Sequence, residues 1–163
     1  MTKLQAWLRG ERGEWYVAVQ GVLFALILLG PPSLPGLPIW TSTAARWLQP
    51  VGLVAALAGM GMCAMALLNL GPNLTPYPRP KANATFVGHG MYQFVRHPIY
   101  CGILSAALGW ALYRQSTLIL LYTLLLFLFF DIKSRREEQW LQEKYAEYAG
   151  YRRRVKKLIP FVY

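Results

Sequence analysis

The chain has 163 residues, 55% of them hydrophobic and 15% charged, with a mean hydropathy of +0.29. That composition excludes an ordinary cytosolic globule. Seventeen Lys and Arg against seven Asp and Glu, set beside long apolar runs, fit a membrane protein with a basic cytoplasmic face better than a nucleic-acid binder. The length allows one domain, 1–163, and the two cysteines, Cys63 and Cys101, lie in or beside apolar runs, which excludes a disulfide framework or a Cys-based metal site as organiser.

Four apolar stretches approach or reach the about 20 residues that a helix needs to cross a bilayer. The first covers about 15–30 and must stop at the Pro31-Pro32-Ser33-Leu34-Pro35 cluster, because prolines supply no helix donors. A cleaved signal peptide is the competing reading of this stretch, but mixed charge precedes it and prolines follow it. The second covers 47–70 and carries Gly52, Gly59, Gly61 and several alanines, small residues that let membrane helices approach closely. The third, 98–113, starts with Pro98 at a helix-start position, and the fourth covers 116–132. Only Arg114-Gln115 separates these two, which predicts a tight hairpin. With both termini cytoplasmic, the inside segments hold fifteen of the seventeen basic residues, among them Lys3, Arg9 and Arg12, and the outside loops hold only Arg46 and Arg114. The expected fold is therefore an all-α, multi-pass membrane helix bundle of about four spans.

Between spans two and three a polar, proline-rich loop, 71–97, faces the cytoplasm. After span four the helical pattern continues into the tail 133–163, with Phe127, Asp131, Ser134, Glu138, Leu141, Tyr145 and Tyr148 recurring at steps of four and three on one face. The chain closes on a basic run, 152–157, and on Leu158-Ile159-Pro160-Phe161-Val162-Tyr163, which is apolar enough to return to the membrane interface.

Two constellations could carry chemistry. Arg96-His97-Pro98-Ile99-Tyr100-Cys101-Gly102 joins a cationic pair to a helix start, where free N–H groups favour an anion. A basic interfacial anchor with a structural tyrosine is the plainer reading of the same residues. Glu137-Glu138 is the second. Neighbours on a helix point about 100° apart, so one glutamate shares the stripe, and the spacing selects Glu138. An inward carboxylate at a membrane boundary needs a cationic partner, either a ligand or, more plainly, Arg135, Arg136 and Lys144. Gly88-His89-Gly90 is a weak signal that fits a turn, and His89 with His97, lacking a third ligand, makes a poor metal site.

Together with Asn73-Leu74-Thr75-Pro76, Gly90-Met91-Tyr92, Glu137-Glu138-Gln139-Trp140-Leu141, Tyr145, Glu147-Tyr148, Tyr151, Val155 and Ile159-Pro160, these residues resemble the isoprenylcysteine carboxyl methyltransferase and phospholipid methyltransferase superfamily of integral-membrane enzymes. The resemblance runs from about Asn73 to Tyr163. It implies S-adenosylmethionine as methyl donor and S-adenosylhomocysteine as product. It also implies a cytoplasmic cofactor site around His97, Tyr100 and Glu138, with Arg96, Pro98, Gly90, Tyr92 and Glu137 beside them. In that reading Glu138 pairs with the donor's ammonium, and His97 with nearby amides holds its carboxylate. The family often has Gly-Pro-Tyr-Arg where this chain has Gly90-Met91-Tyr92-Gln93.

The resemblance further implies a lipophilic acceptor drawn from the bilayer, with membrane lipids as surroundings and no nucleic-acid partner. Transfer from a sulfonium is a displacement in which the protein mainly aligns the reactants, and a carboxylate acceptor needs no general base. Lys144 could orient such an acceptor, or simply snorkel. The loop 71–97 is expected to act as a lid, with its prolines limiting its conformations. A lipid-amine N-methyltransferase, an NADPH-dependent membrane reductase and a non-enzymatic lipid-binding protein are the competing functions.

Overall fold

The computed structural model describes residues 13–163, so Lys3, Arg9 and Arg12 of the charge argument lie outside the described residues. Helices α1 (Glu14–Leu29), α2 (Leu48–Leu70), α3 (Pro98–Tyr113), α4 (Thr117–Lys144) and α5 (Tyr148–Arg154) account for most of the chain. A single helical turn at Thr43–Arg46 and two 3-10 turns at Gly71–Asn73 and Gly90–Gln93 complete it. Among the described residues there is no strand, only three isolated bridges. The expected all-α class is what is seen; α1, α2 and α3 start and stop within a residue of 15–30, 47–70 and 98–113, whereas α4 starts one residue after 116 but runs past 132 to Lys144.

Two of these helices, α2 and α4, are long and apolar enough to cross a membrane; α1 and α3 are apolar but shorter. Away from its partner, α2 leaves Val54, Leu57, Met60 and Leu68 exposed, a surface suited to lipid and costly in water.

Glycine sets how α2 and α3 meet. A Cβ at Gly52 would lie 2.5 Å from the Gly109 carbonyl oxygen, and one at Gly59 would lie 2.5 Å from that of Gly102. The members of each pair on one helix are seven residues apart, close to two turns, so they form a straight antiparallel seam on which backbones touch. Gly61 does not belong to it: nothing lies within 4 Å of the Cβ it would carry, because it points away from α3.

Between α3 and α4 the chain turns on Gln115, which adopts a left-handed φ of 51°. Ser116 then caps α4: its hydroxyl accepts from the Ile119 N–H at 3.1 Å and donates to the Pro32 carbonyl at 2.5 Å. The Trp40 indole donates to Thr117 Oγ1 at 2.7 Å, closing the same end of the bundle. Inside, Ile27 of α1, Ala107 and Ala111 of α3, and Ile119, Leu126 and Phe130 of α4 form the core.

Helix α4 has 28 residues and is about 42 Å long, more than the about 30 Å of a hydrocarbon layer, so a bilayer crossed by it would leave its last turns outside. It does not continue to Tyr148 as the spacing suggested. The backbone becomes extended at Tyr145 and a new helix, α5, starts at Tyr148. This break lets Tyr148 and Tyr151 fold back and become buried, which a straight helix projecting into water could not achieve.

The seam gives a direct test. Gly109→Val should overpack it and cost about 1–3 kcal/mol of stability, while Gly61→Val should change stability by less than about 0.5 kcal/mol. Thermal unfolding of both variants in the same detergent measures the difference.

Candidate active site

The residues before α3 are fixed by the returning tail. The N–H groups of Arg96 and His97 donate to the carbonyls of Lys156 and Lys157 at 2.8 and 3.1 Å, a short parallel pairing that starts at Val95. These two amides are therefore taken by the tail, so of the N–H groups around His97 only those further along the start of α3 remain for an anion. Pro98 opens α3 without an N–H to satisfy.

Arg96 reaches over the tail. Its Nε donates to Glu138 Oε1 at 2.8 Å, and its Nη1 donates to the carbonyls of Arg152 and Val155, each at 2.8 Å. Glu138 is 2% exposed and has both oxygens engaged: Oε1 also lies 3.1 Å from His97 Nε2, and Oε2 lies 3.3 Å from Arg152 Nε. Burial pushes its carboxyl up, but the hydrogen bond and charge of His97 together with Arg96 outweigh this and hold it below its ordinary value.

Glu137 faces elsewhere. It accepts from the Tyr100 hydroxyl at 2.8 Å, lies 3.7 Å from His97 Nδ1, and lines a cavity of about 220 Å³. Lys133, Glu137, Leu141 and Tyr145, spaced four apart, form the α4 wall of this cavity. The stripe argument put Glu138 on the face with Leu141 and Tyr145; the helix instead turns Glu137 to that side and buries Glu138 under the tail. Tyr100 stands between them, stacked on the His97 ring at 5.3 Å and on Phe130 at 4.4 Å.

One turn before Glu137, on the same α4 wall, lies a cation that the spacing alone does not single out. Lys133 is 2% exposed, its ammonium donates to Gln20 Oε1 at 2.6 Å, and it sits 5.2 Å from the Tyr100 ring centre. Signals for both partners were present: Gln20 is a polar residue inside an apolar run, and Lys133 precedes Glu137 by one helical turn.

The loop after α2 forms part of the cavity wall through Asn73, Thr75–Tyr77 and Thr85–Val87, so it is more than a cover. The Tyr145 hydroxyl donates to the Ala84 carbonyl at 2.7 Å, and Phe86 meets the Tyr151 ring edge-on at 5.1 Å. Lys144 donates to the carbonyls of Lys81 and Ala82, which ties it to the loop and leaves it outside this cavity. Arg96, His97, Pro98, Tyr100 and Tyr92 all line the cavity. Gly90 does not. It has a left-handed φ of 60° and lies where a Cβ would come within 2.3 Å of the Asn69 side chain, which accepts from the Met91 N–H at 2.8 Å.

Tyr148 lines the same space, and its buried hydroxyl has no hydrogen-bond partner. Burial, aided by Glu138, pushes its phenol well above the ordinary range and keeps it neutral. An orphan hydroxyl of this kind is costly unless a ligand meets it. Among the described residues no group of three His, Cys, Asp or Glu is placed to hold a metal ion.

Comparison with known proteins now gives the family. The family described as Phospholipid methyltransferase matches residues 47–148, more than half of the chain. The chain belongs to the phospholipid methyltransferase family. That match contains the α2–α3 seam, the Arg96–Tyr100 corner and both glutamates.

Among individual proteins, the chain is 29% identical over 153 residues to the cobalt-zinc-cadmium resistance protein CzcN of Cupriavidus metallidurans, covering 93% of this chain and 64% of that one. It is 27% identical over 157 residues to the protein-S-isoprenylcysteine O-methyltransferase of Saccharomyces cerevisiae, covering 93% and 66%. A solved structure of the eukaryotic intramembrane Ras methyltransferase ICMT superposes with a TM-score of 0.67 at 24% identity, over 90% of this chain and 51% of that one, which shows a shared fold. The chain thus spans about two thirds of the length of these relatives and half of that structure's chain.

The two glutamates should separate in stability. Glu138→Gln leaves half-buried Arg96 and buried His97 without their counter-charge and should cost about 3–5 kcal/mol. Glu137→Gln, which keeps an acceptor for Tyr100, should cost less than about 1 kcal/mol. Denaturant unfolding in one detergent compares them.

Proposed function

We propose that the protein is a methyltransferase that uses S-adenosylmethionine to methylate a lipophilic carboxylate, in a four-span membrane bundle with both termini cytoplasmic. The observation that carries this reading is one cavity in which a carboxylate, Glu137, and a buried ammonium, Lys133, face a stacked tyrosine without pairing with each other.

The residues fit the donor. It has an ammonium, a carboxylate, a sulfonium and an adenosine, and the cavity offers Glu137 for a cation, the Tyr100 face for a positive centre and the unpartnered Tyr148 hydroxyl for a polar edge; an anion contact at His97 requires the ring to turn from Glu137, which its Nδ1 faces. When bound, the donor supplies a methyl group already activated by its sulfonium. The protein's own part is to bind and align. Glu138 holds Arg96 and His97 in place, Tyr92 and Pro98 shape the wall, and the loop excludes water. Lys133 neutralises and orients an acidic acceptor, whose carboxylate is ionised at neutral pH and needs no base.

Gln20 and Ile103 extend the cavity wall along α1 and α3 toward the apolar layer, whereas the loop bounds it on the other side. This favours an acceptor arriving from the bilayer and a donor arriving from water. The loop and tail bring Arg79, Lys81 and the run 152–157 to that end of the bundle, with Arg46 and Arg114 at the other, which supports a cytoplasmic cavity. The same Lys133 disfavours a cationic amine acceptor by like-charge repulsion. Membership of a methyltransferase family speaks against the reductase and the non-enzymatic readings.

Calorimetric titration in lipid nanodiscs tests the donor site: S-adenosylmethionine and its demethylated product should both bind saturably, and NADPH should not. Glu137→Gln should weaken donor binding by about tenfold or more, the value of one lost charge-assisted bond. Binding of NADPH in place of the donor would overturn the proposal. For the acceptor, Lys133→Met should keep donor affinity within about threefold while lowering transfer to an S-prenylated cysteine carboxylate by at least about tenfold, as expected when one charged acceptor contact is removed. Donor affinity and single-turnover transfer are measured on the same preparation.

A further inference from the structure

Beyond the cavity, the last residues form a surface that the proposed chemistry does not use. Leu158 to Tyr163 make a closed turn: the N–H groups of Leu158 and Ile159 both donate to the Tyr163 main-chain oxygen at 2.8 Å, and those of Val162 and Tyr163 return to the Ile159 carbonyl at 3.1 and 3.0 Å. Two side chains fix this turn to α4. The Lys157 ammonium and the Tyr163 hydroxyl, the latter at 2.6 Å, both bind Asp131 Oδ1. The Tyr163 ring lies 6.4 Å from Phe127, one turn further into the apolar part of α4. The turn is therefore held where α4 leaves its apolar stretch.

At that level it presents hydrophobic side chains outward. Phe161 is 81% exposed and Val162 71%, beside exposed Ile132 and Ile159. Phe161 also has a left-handed φ of 64°, an uncommon conformation for a residue with a Cβ. Strain spent on exposing an aromatic ring to water has no return within the protein, whereas at a bilayer interface the ring is buried in acyl chains. Arg135, Arg152, Arg153, Arg154 and Lys156 are exposed nearby, so the apolar wedge is flanked by positive charge.

We propose that the turn Ile159–Tyr163 is an interfacial anchor for an anionic lipid surface, with Phe161 and Val162 entering the acyl boundary while the flanking arginines meet anionic headgroups. Because Lys156 and Lys157 pair with Arg96 and His97, lipid that holds the tail also holds the corner of the cavity, and the anionic lipid content of the bilayer thereby tunes the site. This rests on α4 spanning the membrane and not on the identity of the methyl donor.

The test uses the full chain in nanodiscs of phosphatidylcholine alone or with about 30 mol% phosphatidylglycerol. A nitroxide is placed at Phe161→Cys in a Cys63→Ala, Cys101→Ala background, with Leu125→Cys on the exposed apolar face of α4 as a reference. The label at 161 should meet dissolved oxygen and escape a water-soluble nickel chelate, as the label at 125 does. Amide exchange at Arg96 and His97 should slow by about fivefold or more in the anionic discs, the factor that one arginine near such a surface is worth, and Arg153→Gln/Arg154→Gln should remove that difference. A label at 161 that the chelate reaches while the label at 125 stays protected overturns the anchor and leaves the methyl-transfer reading intact. Exchange that ignores lipid composition overturns the tuning. Both labels reached by the chelate would remove the membrane placement itself.

Discussion

The site depends on how the Arg96 guanidinium is spent. It joins three parts of the chain: the residue before α3 that carries it, the α4 carboxylate of Glu138, and two carbonyls of the returning tail, at Arg152 and Val155. A carboxylate as buried as Glu138 is tolerated only with its oxygens satisfied and an opposite charge beside it, and Arg96 meets that condition. Everything next to it follows. His97 is held against the same carboxylate, Tyr100 stacks on His97, and Glu137 is turned to the other side of the helix by the burial of its neighbour. The family's two charged motifs thus divide their labour, one glutamate building the wall and the other facing the space behind it.

The apolar half of the molecule sets the frame for that corner. Contact between α2 and α3 at backbone distance leaves no side-chain layer between them and fixes α3 in height and rotation, so the position of Pro98 and the residues before it is decided by glycines up to eleven residues away along α3. On the other flank α1 contributes Gln20 from within an apolar run, and its amide oxygen takes the Lys133 ammonium. A lysine at this depth needs such an acceptor, because desolvation without one would drive off its proton. Burial pulls the Lys133 ammonium below its ordinary value, the Glu137 charge opposes this, and Gln20 supplies a neutral acceptor.

Much of this architecture was readable from local signals. Prolines at 31, 32 and 98 and the short Arg114-Gln115 link mark helix ends because they act on the backbone of their own neighbours, and the structure follows them closely. The Arg96–Tyr100 corner and the glutamate pair were readable as residue types. What could not be read was rotation and return. Whether Glu137 or Glu138 faces the cavity depends on which one the tail covers, and the tail reaches Glu138 only because the helix breaks at Tyr145. Neither event leaves a periodic trace, since both are settled by contacts with Arg96, some 42 residues earlier. Lys133 was hidden for another reason: it opens the run Lys133-Ser134-Arg135-Arg136, where three cations look alike, and only burial separates it from its solvated neighbours.

Lys133 and Glu137 do not pair with each other. One helical turn apart and of opposite sign, they are placed as an ordinary intrahelical pair, and such pairs normally close. Here each is bound elsewhere, Lys133 to Gln20 and Glu137 to Tyr100, with the Tyr100 ring beside both. Keeping them apart forgoes a favourable contact and leaves two compensated but unquenched charges on one wall. A neutral or singly charged ligand would satisfy one and leave the other in a drier, costlier environment. A pair of ligands whose charges are complementary, a cationic centre near Glu137 and an anionic group near Lys133, satisfies both at once. On the proposed reading this wall holds two charged reactants side by side, as transfer of a group from a cationic donor to an anionic acceptor requires.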